Sequence, residues 1–270
     1  MSPDRVSDGH AGRRVTQVRE DVAHVIDDQL AEETPVAVHY DGEPFAVMMA
    51  TPRDLQDFAY GFSLTEGRTT ADDIVDIEVK YVLEGVLLDI RTRTPAPVSD
   101  TQPRSLPGRS GCGLCGTRML EDVARRPPRV GDGPVLGSSS LQAALAALQQ
   151  LQPLNTITGA THAAAWADSD GNLRLVREDV GRHNALDKLI GAMLRERLDP
   201  QQGFALVTSR ASYEMVTKAA TAGITVLAAI SAPTVLAVDL ARDCGLTLAG
   251  FVRTGRHVLY SHPQRLLPQD

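Results

Sequence analysis

Residues 204–252 read FALVTSRASYEMVTKAATAGITVLAAISAPTVLAVDLARDCGLTLAGFV, and their rhythm decides the fold class. FALVTS, ITVLAAIS and GLTLAGFV are apolar runs of strand length. ASYEMVTKAATAG and APTVLAVDLARDC, between them, have the length and composition of covering helices. Strands alternating with such helices imply right-handed crossovers and a largely parallel sheet. Helices on that sheet explain why ITVLAAI carries no polar alternation.

Working back from this segment, GRHNALDKLIGAMLRER (181–197) is a further amphipathic helix. HAAAWADSDGNLRLVRE (162–178) is a hairpin turning at Asp170-Gly171, and SSSLQAALAALQQL (138–151) is an Ala/Leu helix behind a serine cap. The resulting order is that of the cytidine-deaminase-like fold, a three-layer α/β core with a mostly parallel sheet and flanking helices. The likeness is topological, and fold does not confer function. Zinc deamination needs H-x-E and P-C-x-x-C. Here Ala185 stands two positions after His183, where the glutamate would be, and Ala232-Pro233-Thr234 stands where the cysteine motif would be. Both motifs that this chemistry needs are therefore incomplete, which argues against it.

Nearer the N-terminus, PVAVHYDGEPFAVMMAT (35–51) reads as a hairpin turning at Asp41-Gly42. TPRDLQDFAYGFSLTEG (51–67) reads as a helix with Thr51 as N-cap and Pro52 at the first helical position. DIVDIEVKYV and GVLLDIRTRT read as strands. The expected organisation is a disordered tail over 1–14, a smaller N-terminal α+β subdomain over 15–94, a loop region over 95–137 and the deaminase-like domain over 138–270. The loop region is rich in proline and glycine, and a short amphipathic stretch near Met119–Val123 stops at Pro127-Pro128.

The 270 residues carry 27 Lys and Arg against 34 Asp and Glu, a net charge of −7 that argues against a general nucleic-acid binder. No apolar run approaches the ~20 residues that span a bilayer. The first residues lack the apolar core of a secretory signal. Three cysteines do not suggest a disulfide framework, so a cytoplasmic location with free thiols is expected.

Two of those cysteines lie in RSGCGLCGTR (109–118). Burial as small hydrophobes fits poorly with Gly111, Gly113 and Gly116 around them. Structural zinc needs a second ligand pair, for which only the solitary Cys244 and the distant His257 and His262 are available. A thioredoxin-like dithiol would follow a strand directly, not a proline-rich loop. A sulfur carrier needs exposure, glycine freedom and positive charge favouring thiolate, which Arg104, Arg109 and Arg118 supply. These residues alone leave the alternatives open.

An anion site is expected where parallel strands end and helices begin. TSRASYE (208–214), SAPTVLA (231–237) and REDVGRHN (177–184) are three such junctions, although Ser and Thr at each also serve as plain helix caps. After the last strand, FVRTGRH (251–257) places Arg253 and Arg256 around a Thr254-Gly255 turn, suited to phosphate or guanine. Asp179 and His183 fit a structural hydrogen-bond network as well as a functional one.

Taken together, the stretches GEPFAVMMATPRDLQDFAYGFSLTEG, SGCGLCG, TGATHAAAWADSDGNL, REDVGRHNALDKLIG, TSRASYEMVTKAATAGI, SAPTVLAVDLARDCGLTLAGFVR and YSHPQRL resemble the formate dehydrogenase accessory sulfurtransferases of the FdhD family, over residues 42–266. The resemblance implies a deaminase-like core and a sulfurtransferase that takes persulfide sulfur from a cysteine desulfurase. The acceptor it implies is the molybdenum cofactor, as bis-molybdopterin guanine dinucleotide, before insertion into formate dehydrogenase. By motif, Cys112 would carry the persulfide and Cys115 would assist. Phe251, Val252, Arg253, Thr254, Gly255 and Arg256 would bind the cofactor. No metal site, nucleic acid or membrane partner is implied, and a homodimer is possible. The alternative is a non-catalytic chaperone that binds the molybdenum cofactor and hands it on.

Overall fold

The computed structural model describes residues 7–94 and 126–268. Strands β1 (His10–Arg19) and β2 (Val22–Ala31) form an antiparallel ribbon. Strands β3 (Thr34–Tyr40) and β4 (Glu43–Ala50), helix α1 (Leu55–Thr65), and strands β5 (Ile74–Val82) and β6 (Gly85–Thr92) follow. These four strands make one sheet in the order β4-β3-β6-β5, with α1 packed on it through Phe58 and Phe62.

The second half runs β7 (Leu136–Gly137), α2 (Ser138–Leu148), α3 (Pro153–Thr158), β8 (His162–Asp168), β9 (Leu173–Asp179), α4 (Arg182–Arg195), β10 (Gly203–Val207), α5 (Tyr213–Thr221), β11 (Val226–Ala229), α6 (Val235–Cys244), β12 (Thr247–Arg253), β13 (Arg256–Ser261) and β14 (Leu266–Leu267). Six of these strands form a mixed sheet in the order β13-β12-β11-β10-β8-β9. Side chains alternate between its faces. Ala164, Trp166, Ala205, Val207 and Leu227 pack under α4, α5 and α6. Ala163, Ala165, Phe204, Leu206 and Ala228 pack under α2. With so few aromatics, the alanines let the helices sit close, and each fully buried leucine, such as Leu186 or Leu189, contributes roughly 2 kcal/mol.

The two halves join where α1 crosses α4. A Cβ on Gly61 would stand 1.8 Å from the Asp187 carbonyl oxygen, and one on Gly191 would stand 1.7 Å from that of Asp57. Only glycine permits so close an approach. Ion pairs flank the crossing: Arg177 Nε lies 2.7 Å from Asp57, and Lys218 Nζ bridges Asp187 at 2.9 Å and Glu66 at 3.2 Å.

The structure corrects several expectations. Residues 10–14, read as disordered tail, begin β1. Only β10–β11 and β11–β12 are parallel, while β8–β9, β8–β10 and β12–β13 are antiparallel, so the large sheet is mixed rather than mostly parallel. α1 starts three residues later than Pro52, with Asp54 in the left-handed region at its N-cap. Thr51 does not cap it, because partners over a hundred residues away claim its polar groups. Its N–H donates to Asp179 at 2.9 Å, its hydroxyl accepts from Val180 N–H, and its carbonyl accepts from Lys188 Nζ. The serine cap of α2 is likewise replaced, since Gly137 is the N-cap and Ser138 Oγ donates to the Leu267 carbonyl.

Candidate functional site

Because β10, β11 and β12 are parallel, their carboxyl ends line one edge of the sheet. Antiparallel β8 starts at that edge and β9 ends there, since His162 pairs with Asp179 and Thr208 N–H donates to the Ala163 carbonyl. All three sequence-predicted junctions and residues 251–256 therefore converge on one rim.

At this rim β12 breaks its register between Gly250 and Arg253. Phe251 adopts φ 50°, a left-handed conformation that costs a bulky residue of order 1–3 kcal/mol, and the residue is 41% exposed. Its N–H donates to the Ser231 carbonyl at 3.1 Å, tying the bulge to the end of β11. Val252 is buried, so the two arginines after it are set on a fixed base. Arg253 donates to the carbonyls of Ile230 and Val252, and Arg256 is exposed directly across from it. Between them Gly255, at φ 73°, donates its N–H to Gln142 Oε1 at 2.8 Å. The arrangement offers two guanidinium groups and an exposed aromatic ring on a short hairpin, a donor set suited to a phosphate-bearing, planar ligand.

The neighbouring junctions divide their labour. Thr234 caps α6, its Oγ1 accepting from Ala237 N–H, and Asp179 is structural. Fully buried, Asp179 accepts from Thr51 N–H, Gly181 N–H, Asn184 Nδ2 and Lys188 Nζ, the last at 2.6 Å. His183 Nε2 stands 2.7 Å from Glu214 Oε2, both largely buried, pairing the first turns of α4 and α5. His162 escaped the sequence reading as a functional candidate. It lies on the face covered by α4 and α5, and burial first, then the charge of Arg182, hold its pKa below the usual imidazole value.

Cys112 and Cys115 lie outside the described residues, as does the stretch near Met119–Val123. The chain that follows them is anchored at the opposite edge of the sheet. Val130 N–H donates to the Cys244 carbonyl at 2.8 Å. Arg265 gathers four acceptors there: the carbonyls of Gly131, Asp132 and Gly245, and Thr247 Oγ1. Gly133, at φ 67°, packs on Thr225 just ahead of β11. About 20 Å of β12 separates this stem from residues 251–256, at roughly 3.3 Å per residue. The 11 residues from Cys115 to Arg126 can extend to at most about 38 Å, so chain length alone lets that thiol reach either edge. Cys244, the remaining cysteine, is the buried last residue of α6, and burial raises its thiol pKa. Among the described residues, no helix is long and apolar enough to cross a membrane.

Comparison with known proteins places this geometry. A family model described as FdhD/NarQ matches residues 31–267. The chain is 54% identical over 263 residues to a protein named sulfur carrier protein FdhD from Xanthomonas euvesicatoria pv. vesicatoria, covering 97% of this chain and 94% of that one. A protein of the same name from Cupriavidus necator is 55% identical over 241 residues, covering 88% and 84%. A crystal structure described as that of a formate dehydrogenase accessory protein from Desulfotalea psychrophila superposes with a TM-score of 0.76 at 25% identity, covering 96% of this chain and 99% of that one.

Proposed function

Because the chain belongs to the FdhD/NarQ family, we propose that it is a sulfur carrier serving formate dehydrogenase maturation. The observation that carries this reading is 54% identity over 97% of the chain to a protein named a sulfur carrier, in a sequence that has a glycine-flanked C-x-x-C.

In this reading the Cys112 thiolate attacks the terminal sulfur of a cysteine desulfurase persulfide. A new S–S bond forms on Cys112, and the desulfurase cysteine leaves as thiolate. Arginines at 104, 109 and 118 favour the attacking thiolate. Release follows when the Cys115 thiolate attacks Cys112 sulfur: the Cys112–Cys115 disulfide forms and the outer sulfur departs as hydrosulfide. A cellular dithiol then returns the pair to thiols. The acceptor is the molybdenum cofactor as bis-molybdopterin guanine dinucleotide, here a substrate, with its guanine and phosphates at residues 251–256. Exposed Arg253 and Arg256, and the bulge that fixes them, support that placement. The deaminase-like description of the core finds support in its element order and in a sheet that begins with a hairpin and continues through two parallel crossovers.

The test is formate dehydrogenase maturation by a Cys112→Ala variant that folds and binds guanosine diphosphate normally. Loss of maturation is expected. Normal maturation would leave the carrier role untenable and favour a chaperone that only hands over the cofactor.

A further inference from the structure

The hairpin tip that joins β12 to β13 is locally unfavourable on three counts. Arg253 and Arg256 face each other directly across the strand pair, and like charges so placed destabilise it. Only Thr254 and Gly255 lie between them. Two-residue hairpin loops favour type I′ or II′ turns, whose twist matches the strands and which need positive φ at the first central residue. Here φ is positive at Gly255, the second central residue, and not at Thr254. The turn therefore splays the strands. The third count is the register break with left-handed Phe251 immediately before it. A Cβ on Gly255 would meet nothing within 4 Å, so no packing supports the tip on that side.

Support comes from α2. Gln142 Oε1, 113 positions away in sequence, accepts the Gly255 N–H at 2.8 Å. The helix that carries it is itself fixed on several sides. Leu141, Ala144, Leu145 and Leu148 are buried against the large sheet. Ser138 Oγ donates to the Leu267 carbonyl at 2.8 Å, and a Cβ on Gly171 would stand 2.2 Å from the Ser140 carbonyl oxygen. Backbone strain persists only where the surroundings hold it, and it gathers at ligand clamps. A group carried on a packed helix is also placed more precisely than one on a free loop. We propose that Gln142 is a positioning residue for nucleotide binding. By accepting from Gly255 it holds the tip against α2, so that Arg253 and Arg256 meet one phosphate-bearing ligand together despite their repulsion. The proposal rests on the reading of residues 251–256 as the nucleotide segment, and Gln142 acts through Gly255 rather than on the ligand.

Full-length protein is titrated with guanosine diphosphate by calorimetry as wild type, Gln142→Met, Arg256→Gln and the double variant. Gln142→Met is expected to weaken binding roughly two- to tenfold, the range for one neutral hydrogen bond, with an unchanged melting temperature. In the Arg256→Gln background the same substitution should change affinity by less than about twofold, because no arginine pair is left to hold. A second readout needs no nucleotide. The Gly255 amide proton of the free protein should show a small NMR temperature coefficient in wild type and in Gln142→Glu, which keeps an acceptor. In Gln142→Met that coefficient should be steep. Equal losses in both backgrounds, wild-type affinity in Gln142→Met, or a Gly255 coefficient that Gln142→Met leaves unchanged would each overturn the positioning role. Wild-type protein that does not bind guanosine diphosphate would overturn the nucleotide reading of 251–256 as well.

Discussion

Arg253 and Arg265 hold opposite ends of one strand. Arg253 closes the carboxyl end of β12 against the Ile230 and Val252 carbonyls, whereas Arg265 grips its amino end through the Gly245 carbonyl and Thr247 Oγ1. The first belongs to the proposed acceptor segment and the second to the stem of the cysteine-bearing chain. In the proposed role, the acceptor segment and the anchor of the thiol-bearing chain therefore lie on different edges of the sheet.

Replacing Arg256 with Gln is expected to weaken guanosine diphosphate binding by roughly 10–100-fold, the loss of one charge-assisted contact of about 1.5–3 kcal/mol. The exposed side chain predicts an unchanged melting temperature. Arg253→Gln should weaken binding similarly and also cost about 1 kcal/mol of stability through its backbone acceptors. Calorimetric titration and thermal unfolding of each variant separate the two effects.

Lys188→Met is expected to destabilise the protein by about 3–5 kcal/mol, because it leaves the Asp179 carboxylate buried without its cation. Adding Asp179→Asn to that variant should recover part of the loss. Urea unfolding measures both, and equal midpoints for wild type and Lys188→Met would contradict the assignment.

Gly61→Ala should destabilise by about 3 kcal/mol or prevent folding, since the added methyl would overlap the Asp187 carbonyl. The nearby exposed Gly67→Ala, at φ 66°, has open space around it and should cost only about 1 kcal/mol from backbone strain. The contrast in urea midpoints isolates the helix crossing.

Burial raises the Tyr40 phenol pKa, with its Oη 2.9 Å from Ser63 Oγ. A pKa higher in the folded state than in the unfolded one gives stability that is complete below about pH 10 and lost as pH rises beyond it. Tyr40→Phe should therefore flatten the alkaline decline of unfolding free energy, measured from pH 8 to 11. An unchanged decline would remove Tyr40 as its source.

The α/β alternation was legible because residues 204–252 switch repeatedly between strand-length apolar runs and helix-length segments. β13 was not, because arginine-rich RTGRH turns within two residues and carries little apolar pattern. The β1–β2 ribbon escaped for a related reason: both of its faces are largely exposed, so β1 and β2 show no inward-outward alternation. Thr51 looked like a cap because its partner Asp179 is 128 positions away. At the site, the arginine pair of 251–256 was readable from local sequence. His162 was not, since the charges of Arg182 and Arg210 bear on it only through the fold.

The most direct test of sulfur carriage is mass spectrometry of the protein after incubation with a cysteine desulfurase and cysteine. The account predicts the added mass of one sulfur atom on the peptide containing Cys112, retained in Cys115→Ala, absent in Cys112→Ala and removed by reductant. A peptide that stays unmodified under conditions that load the desulfurase itself would contradict it.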